Sequence, residues 1–402
     1  MNKKVFSQLS TMMFLEFFVW GAWFVTIANF MSEIGMTQHI YWAFTVGPIA
    51  AIVSPFFLGM IADRFFPTEK ILGVLHVIGA AAIFCVSLVT SSPLLFILLL
   101  GLHTLCYQPT IALANTLAFS QITNREKEFP IIRVFGTLGW IAAGIFVSGI
   151  LGADKTEIPL QVSAIAGVVL GLFSFTLPHT PPPAKGKSTT FREITGLDAL
   201  KKLSSKPFNI YILSSLLTCI PLAAYYSYSQ MIVADAGFSR PGFILSFGQM
   251  SEVIFIILLP VFLKKLGFKQ TLAMGMLAWI VRYGAFTLGA PDSVTWLIFL
   301  GVILHGLCYD FFFVTGQIYV DKKSTPEIRG QAQGFNILVT LGVGMFIGTQ
   351  ITGRLFNRIV TSEGPERMQQ WQSFWLIPAV IAVAVLIFFM ITFKDKQVEQ
   401  TK

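Results

Sequence analysis

Charged residues are scarce in this chain of 402 residues and make up only 12% of it. A soluble domain carries about 25% charged residues, whereas apolar residues here reach 54% and Phe alone contributes 39. A water-soluble core cannot bury so much apolar surface. The composition therefore argues against an ordinary soluble domain and favours a chain that lies in a lipid bilayer, whose hydrocarbon is spanned by about 20 apolar residues.

Motifs of cofactor sites and catalytic sites are also missing. The cysteines Cys85, Cys106, Cys219 and Cys308 lie apart in apolar runs, without the spacing of a disulfide framework or a zinc site. No phosphate-binding loop, metal cluster or nucleophile triad appears in the sequence. We therefore predict neither a cofactor nor an enzymatic activity, and the sequence gives no support to an ATP-driven pump or a membrane hydrolase.

Twelve apolar stretches are long enough to cross a bilayer. The segment 180–207 separates the first six from the last six; it opens with three prolines and carries six Lys and Arg residues. We predict an all-α membrane protein of two six-helix bundles, 1–179 and 208–402, joined by a cytoplasmic linker over 180–207. The predicted spans lie near 6–31, 40–62, 70–90, 93–120, 129–151, 160–178, 208–232, 241–263, 269–289, 295–320, 329–352 and 371–393.

A short repeat supports the division into two similar halves. Residues 102–107 (Leu-His-Thr-Leu-Cys-Tyr) return almost unchanged at 304–309 (Leu-His-Gly-Leu-Cys-Tyr), about half a chain later. Both copies lie in apolar runs. Many transporters consist of such repeats, with the substrate site where the two repeats meet. The repeat therefore predicts two pseudo-symmetric bundles and favours a transport function.

Positive charge is distributed unevenly over the predicted loops. Of the 28 Lys and Arg residues, 22 lie at the amino terminus, in even-numbered loops or at the carboxyl terminus, and five lie in odd-numbered loops. Cytoplasmic loops carry the excess of Lys and Arg in membrane proteins. We therefore expect both termini and the linker in the cytoplasm. This topology accounts for the net charge of +8 without a nucleic-acid partner.

Polar residues inside the spans are the candidate functional residues, because ionisable groups at membrane depth are costly and usually face a protein interior or a wet cavity. In the eighth span, Gln249 and Glu252 are three residues apart and share a helix face. A carboxylate beside a carboxamide can bind the edge of a nucleobase or a sugar, and the acid can also exchange a proton. The alternative is a polar pair that holds helices together.

The fifth span carries a cation, a hydroxyl and a large aromatic ring on one stripe. Arg133, Thr137 and Trp140 are spaced by four and three residues, which places them on one side of a helix. Together they form a suitable platform for a planar polar ligand. The alternative for Arg133 is a side chain that reaches the cytoplasmic lipid phosphates.

Two further acids lie in apolar surroundings. Asp310 precedes three phenylalanines in the tenth span; it either carries the coupling proton or pairs with a cytoplasmic-side cation such as Lys322 or Arg329. Glu16 lies in the middle of the first span, and it either titrates during transport or pairs with a cation on another helix. Arg282 in the ninth span is such a cation in principle, although we expect a structural role for it.

Aromatic residues of the seventh and tenth spans complete the candidate set. His305 and Tyr309 are four residues apart and share a face, where they either contact ligand or serve helix packing. Tyr225, Tyr226 and Tyr228 follow Pro221 in the seventh span. They either line a cavity beyond a proline kink or form an aromatic belt at the membrane interface.

Two levels of family resemblance are visible. Gly59, followed four residues later by Asp63 and Arg64, resembles the loop motif of the major facilitator superfamily, where it acts as a cytoplasmic latch between helices. Within that superfamily the chain resembles the nucleoside:proton symporters. The most specific motifs are Phe-Pro-x-x-Arg-x-x-Gly-Thr at 129–137 and Gln-x-x-Glu at 249–252; the stretches 14–23, 196–199 and 309–312 also match.

The resemblance implies that Arg133, Thr137, Gln249 and Glu252 contact the nucleoside and that Asp310 is needed for transport. An enteric member of the family differs from this chain at several of the positions singled out. Gln replaces Glu16, Tyr replaces His305, and Phe replaces both Trp140 and Tyr309 in that protein. On its seventh helix, Gln stands at the position of Leu222 and Asn at the position of Tyr225. These differences bear on base or sugar selectivity and on the identity of the proton carrier.

We therefore predict proton-coupled nucleoside uptake by alternating access across a bacterial inner membrane, by a protein that works as a monomer in the bilayer. The predicted substrate-binding residues are Arg133, Thr137, Trp140, Tyr225, Gln249, Glu252, His305 and Tyr309; the predicted proton-coupling residues are Glu252, Asp310 and Glu16; the predicted latch is Asp63 and Arg64. The alternative is a major-facilitator carrier of another polar solute, such as a sugar or an organic anion. A membrane receptor without transport activity is less well supported, because the sequence shows no large soluble signalling domain.

Overall fold

The structure is a computed structural model that describes residues 2–57, 65–123, 125–182, 201–325 and 328–394. All regular elements in these ranges are helices, which confirms the predicted all-α class. The chain divides into two compact units, Met1–Phe191 and Arg192–Lys402. Most of the predicted linker lies outside the described residues.

The described residues of the first unit form six apolar helices, which we call spans 1 to 6. Span 5 ends in a π-helical turn, and span 6 is shorter than the others. The bounds are Lys3–Phe24 with Ile27–Glu33 (span 1), Thr37–His39 with Ile40–Phe57 (span 2), Thr68–Ser87 (span 3), Pro93–Gln121 (span 4), Arg125–Gly144 with Ile145–Ile150 (span 5) and Ile158–Ser174 (span 6).

The second unit contains spans 7 to 12. Spans 8 and 9 are continuous in hydrogen bonding but bend at Gly267, whose φ of 75° lies in a region that favours glycine. The described residues therefore hold twelve apolar helices, as predicted. The bounds are Lys206–Asp235 (span 7), Pro241–Gly289 (spans 8 and 9), Thr295–Ile303, His305–Tyr309, Asp310–Val314 and Thr315–Lys323 (span 10), Arg329–Ile337, Leu338–Gly344 and Met345–Ile359 (span 11) and Gly364–Thr392 (span 12).

The exposed faces of the helices are strongly apolar. Leu94, Ile257 and Ile391 are each exposed by about 70% of their surface. Extended apolar surfaces of this kind are rare on soluble monomeric proteins. They are expected on helices that face lipid tails, so the fold is that of a multi-pass membrane protein.

Close packing between spans 1 and 5 depends on glycine. Gly21 of span 1 lies against the main chain of Trp140. A Cβ atom added at Gly21 would lie only 3.2 Å from the Cα and the carbonyl oxygen of Trp140. In span 5, Gly139 lies directly against the main chain of Phe14. Small residues let membrane helices approach closely where no hydrophobic effect drives their association. These contacts fix span 5, and with it the stripe of Arg133 and Trp140, against span 1.

We expect Gly139→Ala to destabilise the first unit. A methyl group at this position would collide with the main-chain oxygen of Phe14, which cannot turn away as a side chain would. Overpacking of this kind costs about 1–3 kcal/mol. Thermal unfolding in detergent should show a lower Tm than for the wild type. Gly47→Ala is the matched control, because a Cβ atom added at Gly47 would lie 3.9 Å from its nearest neighbouring atom. Equal Tm values for the two variants would contradict this packing account.

Candidate functional site

The predicted polar stripe of span 5 lies on a face turned away from the exposed surface. Arg133, Thr137 and Trp140 are all half-buried. Ile131 and Val134 on another face are exposed by 55% and 48%. The arrangement follows from helical periodicity, and it keeps the guanidinium away from the apolar exterior of the first unit.

Aromatic side chains of span 1 support this stripe. The Arg133 guanidinium carbon lies 4.1 Å from the ring centre of Phe17, a cation–π contact. Trp140 packs edge to face on Trp20 and Phe24, with ring centres 5.1 Å and 5.6 Å apart. Phe17, Trp20 and Phe24 are not among the predicted site residues, although their spacing of three and four along one helix is the signal that could have found them.

Glu16 lies in a buried polar cluster of the first unit. The side chain is fully buried, and its Oε2 lies 2.8 Å from Nε2 of His76 in span 3. The Thr110 hydroxyl of span 4 donates to Oε1 at 2.6 Å. His76, on another helix, therefore contacts this carboxylate. Arg282, suggested as a possible partner, instead donates to main-chain oxygens of its own unit.

Gln249 and Glu252 are half-buried in span 8, while Ile254 and Ile257 of the same span are exposed by 58% and 69%. The Glu252 side chain is 22% exposed, and its Oε2 lies 3.9 Å from Nε2 of His305. The Glu252 carboxylate therefore has a polar neighbour and remains partly accessible. Such a group is able to accept hydrogen bonds from a ligand.

Tyr225 and His305 form an aromatic stack across spans 7 and 10. Their ring centres are 5.1 Å apart with planes inclined by 15°. Tyr309 lies one helical turn beyond His305, with ring centres 5.9 Å apart. Nδ1 of His305 has no hydrogen-bond partner among the described residues, although the side chain is only 1% exposed.

The interface-belt alternative is wrong for two of the span 7 tyrosines. Tyr225 is 4% exposed and Tyr228 is fully buried. Tyr228 stacks on Phe356 of span 11 with ring centres 4.1 Å apart, so it belongs to the helix core. Tyr225 remains in the candidate site because it faces His305.

Arg282 lies beside this site, although it is not among the predicted substrate-binding residues. Its guanidinium carbon lies 3.8 Å from the ring centre of Tyr225, and Nε donates to the Gly301 carbonyl at 2.8 Å. The side chain is fully buried, and Nη1 has no hydrogen-bond partner within the described part of the chain. Arg282 thus holds Tyr225 and the start of span 10 in place, which agrees with the structural role expected for it.

Asp310 opens the π-helical segment of span 10, and π-bulges are frequent at functional sites. The side chain is fully buried, and neither carboxylate oxygen has a hydrogen-bond partner among the described residues. The two cations suggested as partners of Asp310 have other contacts. Arg329 pairs with Asp321 at 2.9 Å, and Lys322 lies over the ring of Phe268.

The predicted latch residues Asp63 and Arg64 lie outside the described residues. The candidate groups that the structure does describe form two sets, one in each unit. The first set combines a cation, a hydroxyl and aromatic rings with a buried acid behind them. The second combines an amide, an acid and stacked aromatic rings. Both sets suit a polar, planar, neutral ligand, and buried acids are the usual proton carriers of transporters.

Known proteins resemble this chain over nearly its full length. The family model described as "Nucleoside H+ symporter" matches residues 1–398. The putative nucleoside transporter YegT of Escherichia coli K12 is 39% identical, with 99% of this chain and 96% of that protein covered. The nucleoside permease NupG of the same organism is 30% identical, with 99% and 97% covered.

The fold agrees with these matches. The crystal structure of the nucleoside transporter NupG superposes with a TM-score of 0.86 at 29% identity, covering 98% of this chain and 100% of that one. This likeness, together with the twelve helices, identifies the fold as that of the major facilitator superfamily. The chain therefore belongs to the nucleoside H+ symporter family of multi-pass membrane transporters.

Proposed function

We propose that this protein carries nucleosides together with protons across the bacterial inner membrane by alternating access. Both termini lie in the cytoplasm in this proposal, as the distribution of Lys and Arg indicates, and the monomer in its bilayer is the working unit. Family membership supports the substrate and the coupling ion. The observation that carries the assignment to particular residues is the accessible carboxylate of Glu252 beside Gln249 and the His305–Tyr225 stack.

The chemistry of a nucleoside matches these groups. Ribose hydroxyls donate hydrogen bonds, which the Glu252 carboxylate accepts, and the amide of Gln249 both donates and accepts. The flat base packs on aromatic faces, which His305, Tyr225 and Tyr309 provide. Residues of the first unit contribute in the same way: Arg133 and Thr137 supply donors, and Trp140 supplies a ring.

Proton coupling requires an acid whose charge changes during the cycle. We propose Glu252, Asp310 and Glu16 as the candidates, because all three lie within membrane spans. Neutralising a buried acid lowers the cost of occluding it, so the loaded carrier changes conformation more readily than the charged, empty one. One charge that moves through the membrane potential releases about 2.3 kcal/mol per 100 mV, which supports roughly 50-fold accumulation.

The test is nucleoside uptake by the purified full chain in liposomes with an acidic exterior. We expect uridine or another nucleoside to accumulate above equilibrium, and a protonophore to abolish the accumulation. Counterflow, the exchange of labelled for unlabelled nucleoside without a gradient, should survive the protonophore. Accumulation that is insensitive to the protonophore would contradict proton coupling.

A competition panel of nucleosides, free bases, sugars and organic anions defines the substrate class in the same assay. Competition by nucleosides alone supports the proposed substrate. Stronger competition by a sugar or an organic anion would support the alternative function, a carrier of that polar solute.

A further inference from the structure

The buried cluster around Glu16 has the composition of a proton site. Glu16, His76 and Thr110 come from spans 1, 3 and 4, and each is at most 3% exposed. Both carboxylate oxygens have polar partners: Oε2 lies 2.8 Å from Nε2 of His76, and Oε1 accepts from the Thr110 hydroxyl at 2.6 Å. Three helices of the first unit therefore meet at one carboxylate.

Among the described residues, the other ionisable groups near this carboxylate come from spans 4 and 5. The Tyr107 hydroxyl donates to the main-chain oxygen of Glu16 at 2.6 Å. His103 stacks on Tyr107 with ring centres 5.9 Å apart, and its Nδ1 lies 2.9 Å from the Gly79 carbonyl oxygen. Arg133 of span 5 contributes a positive charge near Tyr107. Span 6 adds only a neutral hydroxyl, Ser163, which donates to the main chain of Val19.

The charge of the pair depends on its proton count. With no added proton, the carboxylate and neutral imidazole carry a net charge of −1 in a low-dielectric interior, where a charge without a counter-ion is costly. With one added proton, the pair is neutral overall, whichever atom holds it. A partner such as Arg would keep a fixed positive charge, whereas histidine changes its charge near physiological pH. An acid paired with histidine is thus able to exchange one proton.

We propose that Glu16 and His76 form a proton-binding site in the first unit, which takes up and releases one proton in each transport cycle. This proposal rests on the proposed function and names a residue, His76, that family membership does not assign. The proton comes from water on the entry side, is held by the Glu16–His76 pair on the imidazole ring or on the carboxylate, and leaves to water on the exit side. No other bond forms or breaks.

Tyr107 connects this site to the aromatic face of span 1. Its ring lies 6.1 Å from that of His76 and 5.7 Å from that of Trp20. Trp20 in turn packs on Trp140, one of the proposed nucleoside contacts. Because the Tyr107 hydroxyl is hydrogen-bonded to the Glu16 main chain, a shift of Glu16 on proton binding is transmitted to the tryptophan pair. Proton binding and nucleoside binding are thereby linked within one unit.

The decisive measurement is the number of protons carried with each nucleoside. Reversal potentials of nucleoside flux in liposomes give this number for the wild type, Glu16→Gln, His76→Asn and the double variant Glu16→Gln with His76→Gln. We expect each variant to carry one proton fewer, so that accumulation driven by one pH unit falls about tenfold. The double variant should lose the same single proton, because the pair acts as one site. It also replaces the pair by two amides that still hydrogen-bond, which favours folding.

A second buried histidine provides the control. His103 lies in the same unit but pairs with a main-chain carbonyl, so His103→Asn should retain the wild-type proton number. Only variants that catalyse counterflow are compared, which separates coupling from folding. An unchanged proton number in the Glu16 and His76 variants, or a loss of two protons in the double variant, would overturn this proposal. Failure of the wild type to transport nucleosides would instead overturn the proposed function.

Discussion

Replacing Glu252 by Gln should strongly weaken nucleoside binding while leaving the protein folded. The substitution keeps the size of the side chain and removes its charge and one acceptor. A hydrogen bond to a charged group is worth about 1.5–3 kcal/mol, so nucleoside affinity should fall roughly 10- to 150-fold. The Glu252 carboxylate is 22% exposed, which leaves it accessible to ligand. Titration calorimetry with the purified protein measures the dissociation constant directly.

The fold around Glu252 makes a purely structural effect easy to recognise. Gly306 of span 10 packs directly on the main chain of Glu252, and the Gly306 amide donates to the Ser251 hydroxyl at 2.9 Å. These contacts do not involve the carboxylate and should persist in Glu252→Gln, so the Tm should change little. Glu33→Gln is the matched control, because Glu33 is 54% exposed and pairs with Lys155 away from the candidate site. A wild-type dissociation constant for Glu252→Gln would remove Glu252 from the binding site.

The helices of this protein could be predicted from sequence because the bilayer imposes a simple requirement. Each crossing needs about 20 apolar residues, so the number of helices follows from hydropathy. The break between spans 8 and 9 was predicted at 263–269, and the backbone turns at Gly267. Span 6 was predicted near 160–178, whereas its helix ends at Ser174. Apolar side chains continue beyond the helix there, and hydropathy alone does not register a change in backbone conformation.

Contacts within one helix could be predicted, and contacts between helices could not. The stripe of Arg133, Thr137 and Trp140 follows from the helical repeat, and all three are half-buried as a platform requires. The partner of Glu16 is His76, which is separated from it by 60 residues. No local spacing records such a pair, because its geometry depends on how spans 1 and 3 pack.

The internal repeat predicted similar helices, but its two copies differ in their contacts. His103 of the first copy lies against the Gly79 carbonyl of span 3. His305 of the second copy stacks on Tyr225 of span 7 and lies 3.9 Å from Glu252. A shared sequence therefore preserves the helix while the neighbours determine its role. In the second unit, these neighbours include an acid and the Arg282–Tyr225 contact.

Replacing Asp310 by Asn should remove one proton from each transport cycle. An ionised carboxylate buried without hydrogen-bond donors is strongly disfavoured, and neither oxygen of Asp310 has a partner among the described residues. Holding a proton relieves this penalty, and releasing it requires a change in surroundings such as alternating access provides. Asn cannot exchange a proton, so accumulation driven by one pH unit should fall about tenfold.

Counterflow distinguishes uncoupling from loss of the transporter. Because Asn is nearly isosteric with a protonated Asp, the variant should exchange labelled for unlabelled nucleoside at a substantial rate even though it concentrates nucleoside less. Asp321→Asn is the control within the same span; Asp321 is 44% exposed and pairs with Arg329, and surface ion pairs contribute only about 0–1 kcal/mol. Wild-type accumulation by Asp310→Asn would exclude Asp310 as a proton carrier and leave Glu252 and Glu16 as the candidates. Loss of both accumulation and counterflow, with an unchanged Tm, would instead assign Asp310 to the conformational change itself. Asp310 begins the π-helical turn, where span 10 departs from regular α-helix.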